Sequence, residues 1–134
     1  MKTEQEAIIR TICAYLTQQP EIIFAYIYGS FAQKKDFHDI DIGIFVKGNA
    51  LSSASDLEYT WEEELKQQLN LKVDVRIINR APIYFLYQVI KERLIIVDKL
   101  PSLWAGFESW VFKSYFDIAH FRNKYLKEIG NAPI

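Results

Sequence analysis

The stretch "YIYGSFAQKKDFHDIDIGIFV", Tyr26–Val46, places a Gly-Ser step and two aspartates between two runs of strand-forming residues. Aspartate is depleted in β-strands, where valine, isoleucine and the aromatic residues are enriched. Asp39 and Asp41 nevertheless open the isoleucine-rich second run. The question is what carboxylates do at the head of a strand.

Alternation along the strand separates these aspartates from the isoleucines, because successive side chains point to opposite faces of a sheet. Asp39 and Asp41 share one face, and a slip of one residue would bury both in the core. The later run Leu71–Ile78 repeats the pattern, with its valines on one side and Asp74 and Arg76 on the other. If the two strands are neighbours in similar register, the three aspartates converge on one patch.

Three clustered carboxylates repel one another and raise their own pKa values unless a cation lies among them. Mg²⁺ suits such a site, since it takes oxygen ligands and keeps waters and substrate phosphates. The alternative is that Asp39 and Asp41 end a loop and Asp74 is a solvated strand residue.

The Gly29-Ser30 step supplies the features of a phosphate site. A glycine after a strand lets the backbone approach an anion closely, and the amides that follow point at it. The Ser30 hydroxyl is a further donor, and Lys34 and Lys35 lie within reach of the same anion.

The order of elements predicts an α+β domain with a small mixed sheet, flanked by helices and followed by a long C-terminal helix. We expect one domain over residues 1–134. The predicted elements are a helix ended by Pro20, strands Glu21–Tyr28 and Asp39–Lys47, a loop Gly48–Ser53, a helix to about Leu69, a strand Leu71–Ile78, a helix Ile83–Lys91, a strand Leu94–Val97 and a helix Pro101–Ile129.

Composition sets further expectations. The 134 residues carry a formal net charge of −1, which gives no sign of direct nucleic-acid binding. A single cysteine fits a reducing compartment, and no uninterrupted apolar stretch approaches the ~20 residues of a membrane span. We therefore expect a cytoplasmic protein that does not enter the membrane.

Together, Gly29-Ser30, the Asp39-x-Asp41 pair and Asp74 on a later strand resemble the nucleotidyltransferase fold of the polymerase beta superfamily. The likeness is greatest to its small minimal nucleotidyltransferases (MNT), many of which are antitoxins encoded beside a HEPN-domain toxin ribonuclease. Eight residues separate Ser30 from Asp39, a couple fewer than is usual, and Gln33 replaces the common arginine of the family.

The resemblance implies a site and a chemistry. Gly29, Ser30 and Lys34 would bind the nucleotide, and Asp39, Asp41 and Asp74 would be catalytic and would ligate two Mg²⁺ ions. Asp74 would also be a possible general base. ATP would be the substrate, and AMP would pass to a tyrosine of the partner HEPN toxin.

Two alternatives remain open at this stage. One is an antitoxin that masks its toxin without catalysis, and the other is a small-molecule nucleotidyltransferase. In the last helix one apolar stripe is predicted to pack on the sheet, whereas the aromatic residues off it are candidates for contact with a partner or with further copies of the chain. The stripe contains Trp104, Phe107, Val111, Ile118, Phe121 and Tyr125, and the residues partly off it are Trp110, Phe112, Tyr115 and Phe116.

Overall fold

The computed structural model describes residues 2–33 and 39–131. The predicted nucleotide-binding Lys34 lies outside the described residues. The helices are α1 (Lys2–Thr17), α2 (Ala54–Leu69), α3 (Ile83–Lys91) and α4 (Pro101–Asn131), and the strands are β1 (Ile22–Tyr28), β2 (Asp39–Val46), β3 (Lys72–Ile77) and β4 (Leu94–Asp98). The predicted loop at Gly48–Ser53 is instead a short 3₁₀ helix, in which the buried Ala50 donates its N–H to the Lys47 carbonyl at 2.9 Å.

The sheet is mixed, as predicted, with strand order β3-β2-β1-β4. Strand β1 is antiparallel to both of its neighbours, and β2 is parallel to β3. Parallel strands need a crossover, and α2 provides it between β2 and β3. This crossover brings the two aspartate-bearing strands side by side.

Helices cover both faces of the sheet, and each face has its own apolar cluster. The isoleucine face of β2 packs against α1 and α2, where Trp61 and Leu65 are buried. The opposite face carries Phe24 and Tyr26 against α3 and the first half of α4. This arrangement confirms the predicted separation of isoleucines from carboxylates. The isoleucines of β2 are buried in the first cluster, whereas Gly43, on the aspartate face, lies beside Val89 of α3.

The apolar stripe of α4 packs on the sheet only in its first half. Val111 is buried against the sheet. Phe121 is 71% exposed and Tyr125 is 55% exposed, so the prediction that they pack on the sheet is wrong. The reason is length, because 31 helical residues extend about 46 Å whereas a strand of seven residues extends about 23 Å.

The aromatic residues partly off the stripe divide into two sets. Phe112, Tyr115 and Phe116 contact Tyr87 of α3, and the Tyr87 and Tyr115 rings stack at 3.7 Å. Trp110 is exposed. Their contact with a partner stays a prediction.

A buried carboxylate ties α4 to the sheet. Glu108, 7% exposed, accepts hydrogen bonds from the Tyr26 hydroxyl at 2.9 Å and from Nε1 of Trp104 at 3.1 Å. Arg93 binds both of its carboxylate oxygens, at 2.6 and 3.0 Å. Burial, followed by the Glu108 charge, raises the pKa of Tyr26 above its ordinary range, so this hydroxyl remains a donor.

Glu108→Ala should lower the free energy of unfolding by about 3 kcal/mol, because it leaves the Arg93 guanidinium and the Tyr26 hydroxyl without their shared acceptor. Urea denaturation followed by tryptophan fluorescence measures the loss. Glu128→Ala is the matched control, since Glu128 is exposed on the same helix. Equal midpoints for the two variants would contradict the anchoring role of Glu108.

Candidate active site

The site begins at the bend that ends β1. Gly29 has φ +77°, a left-handed conformation that favours glycine, and a Cβ placed there would lie 2.7 Å from Oδ2 of Asp41. Gln33 donates its N–H to the Gly29 carbonyl at 3.3 Å, which closes one helical turn. Ser30 follows the glycine and is exposed. The predicted phosphate-binding step therefore lies against one of the predicted metal ligands.

The register of β2 and β3 arranges the charged side chains in rows across the two strands. Asp39 pairs with Lys72, Asp41 pairs with Asp74, and Gly43 pairs with Arg76. Directly opposite residues of paired strands share a face, with Cβ atoms about 5 Å apart. A like-charged row, Asp41–Asp74, is thus flanked along β3 by one cation on each side.

The electrostatics of Asp41 report this crowding. Burial raises the pKa of the Asp41 carboxyl above its ordinary value, and the negative charges of Asp74 and Asp39 raise it further. Arg76 lowers the same pKa. These shifts make ionisation of Asp41 less favourable than that of a free aspartate, and additional positive charge at the site would offset them.

Two ion pairs offset part of the repulsion. Nε of Arg76 lies 3.6 Å from Oδ2 of Asp74, and Nζ of Lys72 lies 3.9 Å from Oδ2 of Asp39. Both cations are largely exposed, so each pair alone adds little to folding stability.

The wall of the site is aromatic. The Arg76 guanidinium carbon lies 5.7 Å from the centre of the Phe85 ring, and Phe85 meets Tyr28 edge-on at 5.9 Å. Tyr28 is buried and packs with the apolar cluster on this face of the sheet. Burial, then Asp41 and Asp74, raise the pKa of Tyr28 beyond its ordinary range, so the phenol stays neutral beside the carboxylates.

Sequence reasoning missed two residues at this site, Phe85 and Glu92. Glu92 follows the end of α3, and its negative charge contributes to the raised pKa of Asp41. Neither carries a local signal, because each reaches the site only through the packing of α3 on the aspartate face of the sheet.

The donor set has the chemistry that Mg²⁺ prefers, since it consists of hard carboxylate oxygens with mutual repulsion that a divalent ion would relieve. Within residues 2–33 and 39–131, no group of three or more His, Cys, Asp or Glu side chains is already closed around a metal position. Asp41 and Asp74 lie side by side, and Asp39 is one alternation away on the same face. These residues suit Mg²⁺ because all three are carboxylates and lie on one face of the sheet.

Two surface depressions lie elsewhere, on the isoleucine side of the sheet. They have volumes of about 430 and 500 Å³ and are lined by residues of α1, α2 and the turns that follow these helices. They contain none of the predicted site residues. In the part of the chain that the structure describes, no helix has both the length and the apolar character to cross a bilayer.

Residues 10–101 match the family "Polymerase beta, Nucleotidyltransferase". The chain therefore belongs to this family and is a nucleotidyltransferase by class. No curated protein matches the sequence.

Solved structures share the fold. A chain of the tri-AMPylated Shewanella oneidensis HEPN toxin in complex with MNT antitoxin superposes with a TM-score of 0.68 at 17% identity, covering 93% of this chain and 98% of that chain. A toxin–antitoxin structure with AMP-PNP gives 0.66 at 17% identity, covering 92% and 97%. The toxin–antitoxin MntA-HepT gives 0.62 at 15% identity, covering 96% and 98%. These likenesses confirm the predicted polymerase beta-like fold.

Gly29→Ala should destabilise the fold by about 1–2 kcal/mol, because alanine is strained at positive φ and its methyl group would collide with the Asp41 carboxylate. The collision should also displace the Asp41 carboxylate and thereby weaken binding of a fluorescent ATP analogue with Mg²⁺. Urea denaturation and equilibrium fluorescence measure the two effects.

Gly48→Ala is the control for this substitution, since a Cβ at Gly48 meets nothing within 4 Å. Retention of both stability and nucleotide affinity in Gly29→Ala would show that the bend does not need glycine.

Proposed function

We propose that this chain is a Mg²⁺-dependent nucleotidyltransferase that transfers AMP from ATP to a tyrosine hydroxyl of a partner HEPN-domain toxin, and that it acts as the antitoxin of the pair. The observation that carries the proposal is the Asp41–Asp74 row beside the Gly29 bend, in a member of the polymerase beta nucleotidyltransferase family. The fold likeness to a chain of a complex of MNT antitoxin with tri-AMPylated HEPN toxin supports the choice of acceptor.

Each residue has a proposed role. Gly29 and Ser30 hold the phosphates of ATP, together with Lys34 of the undescribed segment. Asp39, Asp41 and Asp74 would hold two Mg²⁺ ions, which when bound supply charge neutralisation at the attacking and leaving oxygens. Asp74 also accepts the proton of the acceptor hydroxyl.

The transfer forms one bond and breaks one. The acceptor oxygen forms a bond to the α-phosphorus of ATP, the bond from that phosphorus to the bridging oxygen of the β-phosphate breaks, and pyrophosphate leaves. The acceptor hydroxyl loses its proton to Asp74. The product carries a negatively charged AMP group, which blocks a surface by bulk and charge as phosphorylation does.

The small size and near-neutral charge of the chain support a protein acceptor over a nucleic-acid one. The proposal includes a single nucleotidyltransferase domain over residues 1–134 and action in the cytoplasm, where ATP and a reduced Cys13 are both expected.

Asp41→Asn should reduce AMP transfer by at least about 100-fold, because it removes a charge aimed at the reacting phosphate and its ion. The chain is incubated with ATP, Mg²⁺ and the HEPN-domain product of the neighbouring gene, and the mass of each intact protein is measured. Gains in steps of one AMP unit on the toxin are the expected result.

Asp98→Asn is the matched control, since Asp98 pairs with Phe24 at the other end of the sheet. A tight complex without any mass gain, for the native chain with any nucleotide, would replace this proposal by an antitoxin that masks its toxin without catalysis. Transfer that survives Asp41→Asn would remove the carboxylate row from the mechanism.

A further inference from the structure

Among the residues that the structure describes, Arg76 is the cation that pairs with a member of the like-charged row. Its cross-strand neighbour is Gly43, which has no side chain, so nothing on β2 stands opposite it. Its diagonal neighbour on β2 is Asp41. On its own strand it pairs with Asp74 at 3.6 Å. The guanidinium thus pairs with one member of the row and lies diagonally across from the other.

The Phe85 ring defines where this guanidinium lies. The ring is half-buried, is braced edge-on by the buried Tyr28, and has the Arg76 guanidinium carbon 5.7 Å from its centre. The ring electrons attract an arginine that lies next to an aromatic face, and this attraction restricts the motion of its side chain. Lys72, the other flanking cation, is 70% exposed and pairs with Asp39 outside the row.

We infer that Arg76 is the built-in counter-ion of the Asp41–Asp74 row, that it competes with a divalent cation for these carboxylates, and that it thereby sets the Mg²⁺ concentration at which the site is loaded. The inference rests on the proposed function in one respect, namely that the ion binds at Asp39, Asp41 and Asp74. Arg76 is a positioning residue in this account, since it acts through the carboxylates.

Arg76 acts differently in the empty and in the loaded site. Without an ion, its positive charge lies 3.6 Å from Oδ2 of Asp74 and offsets the repulsion between the two carboxylates of the row. With an ion bound, the same guanidinium faces a divalent positive charge and is repelled. Arg76 therefore weakens ion binding by the difference between its interaction free energies with the empty site and with the loaded site.

The sign of the effect distinguishes this role from a structural one. A residue that only held Asp74 in place as a ligand would strengthen ion binding, and its removal would weaken it. A solvated surface pair would change nothing. Of these three roles, only a competing counter-ion predicts that removing the arginine tightens ion binding, and a control variant at a distant arginine distinguishes this from a general charge effect.

The test measures Mn²⁺ binding in the absence of nucleotide. The free ion is quantified by electron paramagnetic resonance, and Mg²⁺ is added as a competitor. Arg76→Met should lower the dissociation constants of both ions about threefold to tenfold. The range is modest because the Arg76 side chain is 59% exposed and screened by water. Arg76→Lys keeps the charge and should lie between the native chain and Arg76→Met. Arg80→Met is the control, since Arg80 is exposed in the segment that follows the C-terminal end of β3.

A second readout needs no binding curve. The increase in melting temperature on adding Mg²⁺ should be larger for Arg76→Met than for the native chain, and Asp41→Asn in the same chain should abolish the difference. Arg76→Gln repeats the test should the methionine variant fold poorly, since the side chain is solvated and its amide carries no charge.

The outcomes separate the inference from the function. Equal or weaker ion binding by Arg76→Met, with ion binding by the native chain intact, overturns the counter-ion and leaves the nucleotidyltransferase standing. No ion binding by any variant, with ATP present or absent, overturns the metal site of the proposed function and the inference with it. Tighter binding that Arg80→Met reproduces would show a general charge effect and would also overturn the role of Arg76.

Discussion

Two carboxylates held side by side on adjacent parallel strands are the constraint on which the rest of this site depends. Asp41 and Asp74 are register partners, so the backbone hydrogen bonds of the sheet keep them together whatever their charges prefer. Repulsion of this kind cannot relax by sliding the strands, because a one-residue slip would move the isoleucines of β2 out of the core. The stability of the apolar face therefore maintains the electrostatic strain of the polar face.

Three features of the surroundings limit that strain without removing it. Lys72 and Arg76 flank the row along β3, and the aromatic wall of Phe85 and Tyr28 leaves the guanidinium near the carboxylates. The pKa of Asp41 nevertheless remains above its ordinary value. In the proposed function, a divalent cation would relieve the repulsion that remains.

The face of the sheet that carries the aspartates also anchors α4. Glu108 binds Tyr26 and Arg93 and so attaches the first half of α4 to this face. The second half of this helix leaves the sheet and exposes Phe121 and Tyr125. Exposed aromatic residues on an extended helix are typical of partner-binding surfaces, and in the proposed function the partner is also the substrate.

The sequence alone determined the features that depend on neighbouring residues. Alternation in β2 separated Asp39 and Asp41 from the isoleucines, and the order of elements predicted the mixed sheet with its flanking helices. Local periodicity reflects burial directly, which is why these predictions are confirmed.

Only the tertiary structure decided which distant groups meet. Phe85 and Glu92 reach the carboxylates because α3 packs over their face of the sheet, and Asp41 faces Asp74 because α2 crosses over to make β2 and β3 parallel neighbours. The exposure of Phe121 likewise follows from the length of α4 relative to the sheet, not from its apolar spacing, which is the same in both halves. Contacts between residues far apart in the chain depend on how whole elements pack, and no pattern within one element records that packing.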